Sequence, residues 1–231
     1  MLGFIGAGSM GGAIMRGVIA AEAENPENIY FTRINDAAAA ALRKELGVKR
    51  AESNSALISE IGGGSVAILG VKPYLAAEVL EEIAENAAKH STVIVSVAAG
   101  ISLEKLGSAL APKQPIVRAM PNVASSIRNG MTALCPNQYV SAEQLTAVRK
   151  IFAAIGEIAV IPEKDFLHSL QSPAVPLPGH SPISTHFRGQ RLQLEYRKRK
   201  LSGLPRKQSP DQHSLYWKIS QILARKHSSI L

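Results

Sequence analysis

Short, wholly apolar runs alternate with longer amphipathic segments over the first two thirds of the chain. Leu2-Gly3-Phe4-Ile5 is the first such run; it ends at a glycine cluster, after which Ala13, Ile14, Val18 and Ile19 recur at helical spacing. Ile29-Tyr30-Phe31-Thr32 reads as a second strand, and Asn35 or Asp36 caps an Ala-rich helix that turns Leu42 and Leu46 inward. Val66-Ala67-Ile68-Leu69 is a third strand, followed by Lys72-Pro73 and a helix carrying Ala76, Val79, Leu80, Ile83 and Ala84. Residues 92–97 form the next strand, Ser102 leads a helix, and Ile116-Val117-Arg118-Ala119 is a further strand. Ser141 and Glu143 open a helix with Leu145, Val148, Ile151 and Phe152 on one face; Gly156 is expected to end it, and residues 158–161 to form a closing strand. Strands that are apolar throughout, alternating with amphipathic helices, predict a parallel sheet covered on both faces. With right-handed crossovers this is a doubly wound α/β fold.

The pattern stops near Asp165. Pro173, Pro176, Pro178 and Pro182 interrupt any regular element, Arg197-Lys198-Arg199-Lys200 is a bare charge run, and only Tyr216 to Leu223 regains a weak helical period. Charge divides at the same place. Of the chain's 26 Lys/Arg and 18 Asp/Glu, residues 166–231 hold eleven and two, so the formal charge of +8 comes entirely from this segment. The expected organisation is therefore a nucleotide-binding α/β domain over residues 1–165 and an irregular, basic Pro/His/Arg-rich region over 166–231, either disordered or read out of frame. Its charges could neutralise nucleic-acid phosphates, but Phe187, Tyr196, Tyr216 and Trp217 do not interleave with them, which weighs against that use. His180, His186 and His213 lack the partners and spacing of a metal site, and none is expected. No run reaches membrane-spanning length, and the single cysteine, Cys135, reads as a small core residue; both fit a cytoplasmic protein.

Gly6-Ala7-Gly8-Ser9-Met10-Gly11 is a G-x-G-x-x-G lying between a predicted strand and a predicted helix, the setting the motif needs. Gly6 allows the sharp turn, Gly8 lets a pyrophosphate approach the backbone, and Gly11 lets helix pack on strand. This is the opening of a Rossmann-type dinucleotide site. At the end of the second strand an acidic side chain would take the ribose hydroxyls of NADH, whereas a basic one takes the 2′-phosphate of NADPH. Arg33 stands there, 22 positions after Gly11, so NADPH is the expected cofactor and NADH the alternative.

Four segments in order, Phe4 to Met10, Val71-Lys72-Pro73, Ser96 to Ile101 and Arg118-Ala119-Met120-Pro121-Asn122-Val123, resemble the landmarks of the pyrroline-5-carboxylate reductases over residues 1–165. The resemblance implies reduction of 1-pyrroline-5-carboxylate to L-proline by hydride from NADPH, in a homo-oligomer. It also implies that Val71, Lys72 and Pro73 pass the nicotinamide ribose, that Val97, Ala98 and Ala99 pass the nicotinamide, and that Asn54 contacts the adenosine side. Lys72 and Asn122 are the candidate residues of the reaction itself; a solvent-facing lysine at a strand end is an equal reading of Lys72. Reduction of a C=N bond needs two rings held face to face and a protonated imine, with no nucleophile or metal, so cofactor walls of this kind suit it. The family's later Gly-Ser-x-Pro-Ala and Thr-containing substrate segments are not found here; Ser172-Pro173-Ala174 is a fragment of the first. Two alternatives stay open: a reductase of the wider β-hydroxyacid dehydrogenase-like group, and a nucleotide-binding module without catalysis.

Overall fold

The computed structural model describes residues 1–121, 130–164 and 166. Its contacts divide the chain into Met1–Pro176 and Leu177–Leu231, and every described residue belongs to the first unit. Asn122, the Ser172-Pro173-Ala174 fragment and the basic segment lie outside the described residues.

Eight strands form one sheet. Strand β1 is Leu2–Ile5, β2 Ile29–Phe31, β3 Lys49–Arg50, β4 Val66–Leu69, β5 Val93–Ser96, β6 Ile116–Pro121, β7 Gly130–Pro136 and β8 Gly156–Val160. Their order across the sheet is β3-β2-β1-β4-β5-β6-β7-β8. All neighbours pair parallel except β6 and β7, which run antiparallel with Arg118 opposite Cys135. The sheet is the doubly wound type read from the sequence with one strand added: β7 was not anticipated, and it and β8 run opposite to the other six. The residues of β7 carry no mark of its direction, because alternation and burial are the same for either sense of pairing.

Helices α1 (Ser9–Ala20), α2 (Asp36–Leu46) and α6 (Ala142–Ala153) cover one face, where Leu2, Phe4, Ile68, Val95 and Val117 meet Ile14, Leu42, Val148 and Phe152. Helices α3 (Asn54–Ile61), α4 (Ala76–Lys89) and α5 (Leu103–Ser108) cover the other, packing Leu57, Leu80, Ile83 and Leu106 on Ile5, Ala67, Leu69 and Ile94. Every residue of β1, β4 and β5 is buried, as strands enclosed on both sides must be.

Local chemistry sets the helix starts. The Asn35 side chain, rather than that of Asp36, accepts from the Ala38 N–H at 2.8 Å and caps α2. Ser102 caps α5, and Ser141 forms a reciprocal capping box with Gln144 on α6. Helix α6 stops at Ala153, and Gly156, expected to end it, instead begins β8. Helix α3 and strands β3 and β7 were not anticipated: β3 has two residues, too few for a period, β7 mixes Gly, Thr and Pro with its apolar residues, and α3 has eight, of which Leu57, Ile58 and Ile61 form the buried face.

Candidate functional site

The order of strands reverses between β1 and β4, and the crevice beyond their carboxyl ends is where open α/β sheets take ligands. The first side of this crevice is the turn from β1 into α1. Gly6 sits at φ 77°, and a Cβ there would come 2.6 Å from Val71 Cγ1, so both its conformation and its surroundings require glycine. Gly11 is confined too, since a Cβ would meet the Gly6 carbonyl oxygen at 3.3 Å. Gly8 differs: its φ of −79° suits any residue, and a Cβ would meet only the Gly6 oxygen, at 3.9 Å. Packing within the protein does not explain Gly8, whereas space left for a bound group does.

Hydrogen bonds hold the turn in shape. The Gly6 amide donates to Thr32 Oγ1 at 3.2 Å, the Ala7 amide to the Thr32 carbonyl at 2.8 Å, and the Gly8 amide to the Gly6 carbonyl at 2.7 Å. The next three amides, of Ser9, Met10 and Gly11, stand in the first turn of α1, where the helix supplies no acceptor. Gly8 gives no side-chain cap, and no acidic residue lies in that turn. Unpaired donors and the positive end of the helix dipole thus face a cradle free of anionic side chains, a fit for a pyrophosphate.

Thr32 links this turn to the neighbouring elements. Its hydroxyl donates to Asn54 Oδ1 at 2.7 Å, and Asn54 Nδ2 donates to Glu82 Oε2 at 2.7 Å. The network therefore runs from the glycine turn through β2 and α3 to α4. Asn54 was read from the sequence only by resemblance; Thr32 as its anchor and Glu82 as its acceptor were not read at all. A threonine at a strand end was a usable sign, but nothing in sequence spacing pairs Asn54 with a glutamate 28 positions later.

The other expected residues lie along the same carboxyl edge. Arg33 follows β2 and is half-buried, and among the described residues its guanidinium has no hydrogen-bonding partner. Val71 is half-buried beside Gly6, and Pro73 starts a single 3-10 turn, Pro73–Leu75. Lys72 is exposed, and it is its backbone carbonyl that accepts from Leu75. Beyond β5, the Val97 amide donates to the Leu69 carbonyl at 3.2 Å and the Ala98 amide to Ser96 Oγ at 3.3 Å; Ala99 is exposed, and Gly100 follows at φ 79°. Gly70, which the sequence reading passed over, lies where a Cβ would meet the Gly6 oxygen at 3.0 Å, so the β1 and β4 turns approach each other backbone to backbone. The structure thus gathers Gly6 to Gly11, Arg33, Asn54, Val71 to Pro73 and Val97 to Ala99 around four adjacent strand ends. Asn122, one residue past β6, is outside the described residues.

A second polar cluster lies at β6. Arg118, 4% exposed, pairs with Glu163 Oε1 at 2.6 Å, and the same oxygen accepts from the Leu103 amide at 2.6 Å. The guanidinium also stacks over the Phe166 ring, 4.8 Å from its centroid. Cys135, opposite Arg118 on β7, is buried as expected; burial, and after it the Glu163 carboxylate, pushes its thiol above the ordinary value, with Arg118 opposing. A neutral thiol of this kind is a packing group. Among the described residues no cluster of His, Cys, Asp and Glu could hold a metal, and no helix is long and apolar enough to cross a membrane.

Residues 1–100 match the family described as NADP oxidoreductase, coenzyme F420-dependent. The chain is 37% identical to the pyrroline-5-carboxylate reductase of Escherichia coli (strain K12) over 181 residues, 78% of this chain and 64% of that protein. Among solved structures it resembles the pyrroline-5-carboxylate reductase of Coxiella burnetii (TM-score 0.69, 25% identity, 96% of this chain and 76% of that one). It also resembles the Plasmodium falciparum pyrroline carboxylate reductase with NADP bound (TM-score 0.63, 27% identity, 71% of this chain and 58% of that one). The chain spans less than two thirds of the length of the curated relatives it matches first. The resemblance read from the four sequence segments therefore holds in both sequence and fold.

Proposed function

We propose that this chain binds NADPH along the carboxyl edge of β2, β1, β4 and β5 and acts as a pyrroline-5-carboxylate reductase, reducing the C=N bond of 1-pyrroline-5-carboxylate to give L-proline. The carrying observation is the uncapped start of α1 beside Gly8, a cradle in which a Cβ has room and which packing leaves unfilled. Ser9, Met10 and Gly11 would hold the pyrophosphate through their amides, Arg33 the 2′-phosphate, and Asn54 the adenosine ribose. Val71, Lys72 and Pro73 would line the nicotinamide ribose, with Val97, Ala98 and Ala99 leaving space for the ring. The bound nucleotide supplies a hydride; the protein's part is to hold the imine carbon against it and keep water out. Lys72 and Asn122 are the residues of this chain assigned to the reaction itself, Asn122 offering its amide to the nicotinamide or the substrate. NADP in the Plasmodium falciparum structure supports the choice of nucleotide.

A specific observation favours a second reading, a nucleotide-binding module without turnover: the substrate segments of the family are not found in residues 166–231. We place the limit of the nucleotide domain at residue 165, where composition changes. The test is NADPH oxidation by the purified 231-residue chain with 1-pyrroline-5-carboxylate, beside a direct NADPH titration. Binding with turnover is the expected result. Binding without turnover would establish the module instead, and no binding would overturn both.

A further inference from the structure

We propose that Arg50 is a specificity-determining residue of the nucleotide site, masking a carboxylate that would otherwise turn the site from NADPH toward NADH. The inference rests on the reading that this edge binds a nicotinamide nucleotide. Asp36 follows Arg33 by three positions, close to where an acidic side chain would accept the ribose hydroxyls of NADH and repel a 2′-phosphate. Its side chain is 84% exposed, so neither burial nor packing withholds it. It is engaged from β3, the strand beside β2: Arg50 Nη2 meets Asp36 Oδ1 at 2.5 Å and also donates to the Arg33 carbonyl at 3.0 Å.

One guanidinium nitrogen therefore does two things. It neutralises the acid, and it fixes the backbone of the residue whose own guanidinium has no partner among the described residues. Arg33 stays available to an incoming phosphate because the competing carboxylate is already paired, and by another arginine. Had Asp36 paired with Arg33 instead, the phosphate would have to displace an ion pair. The two-residue strand β3 thus has a role beyond closing the sheet: it delivers Arg50 to the Asp36 side chain.

Exposed pairs contribute little to stability, so removing Arg50 should change selectivity more than folding. Arg50→Gln is expected to weaken NADPH binding by the full 231-residue chain about sevenfold at low ionic strength, the size of repulsion between a carboxylate and a dianionic phosphate roughly 7 Å apart in water. NADH binding should hold or tighten, and the NADPH loss should shrink at high salt. Asp36→Asn added to Arg50→Gln should restore NADPH affinity to within about twofold of the parent, whereas Asp36→Asn alone, which leaves Arg50 unpaired beside the phosphate, should tighten NADPH. The inference is overturned if Arg50→Gln weakens both nucleotides equally, or if Asp36→Asn fails to restore NADPH binding beside Arg50→Gln. If the parent binds neither nucleotide, it is the reading of the site that fails.

Discussion

Arg118 carries a full positive charge into the middle of β6, and a single oxygen of Glu163 answers both that charge and the first free amide of α5. A charge so enclosed is tolerated only while paired; removing its partner leaves an uncompensated ion and an unmet N–H. Glu163→Ala is expected to lower stability by about 3 kcal/mol, read as a shift of the urea midpoint. Glu163→Gln keeps an acceptor for Leu103 and should fall between. Equal midpoints for Glu163→Ala and the parent would mean that water reaches Arg118. Neither residue stood out chemically in the sequence. Arg118 was quoted only as part of a predicted strand and of a family segment, and the pairing spans 45 positions, a distance over which spacing carries no information.

Glycines of one motif differ in what they answer to, and the difference becomes visible in the turn between β1 and α1. Gly6 and Gly11 serve the protein; Gly8 has room for a side chain that the protein does not fill. Gly6→Ala is expected to destabilise the fold, because a positive φ and contact with Val71 both oppose a Cβ. Gly8→Ala should leave thermal stability within about 0.5 kcal/mol of the parent while lowering NADPH affinity at least tenfold. A Gly8→Ala chain that binds normally would show that the cradle is not the pyrophosphate site. The turn was readable in advance because its elements announce themselves: an apolar run, fixed glycine spacing, then helical period. Strand β3, with two residues, and α3, whose importance lies in holding Asn54 between Thr32 and Glu82, gave no comparable signal. The capping of α2 by Asn35 was open between two neighbours, both chemically suited; the structure puts the N-cap at the first of them and leaves the second to Arg50.

Taken as one sheet, the described residues place four strand ends, each contributing a different part of the proposed nucleotide site, on a single edge. A ligand that spans them ties β2, β1, β4 and β5 together and should stabilise the folded chain by mass action: NADPH at a hundred times its dissociation constant adds about 2.7 kcal/mol. Thermal unfolding with NADPH and with NADH at equal concentrations checks this, the larger rise being expected with NADPH; no rise with either would detach the edge from any nucleotide. Parallel pairing and enclosure of the other strands were evident in their unbroken apolar runs, whereas β7, which mixes Gly, Thr and Pro with its apolar residues, was not read at all, and its direction is decided by connections and not by composition. The amides of Gly6, Ala7 and Gly8 are all spent on protein acceptors before any ligand arrives. The turn therefore does not have to be ordered during association. Capture should proceed as fast as orientation allows, without a slow loop-closing phase, and changes to the site should be felt chiefly in how long the nucleotide stays.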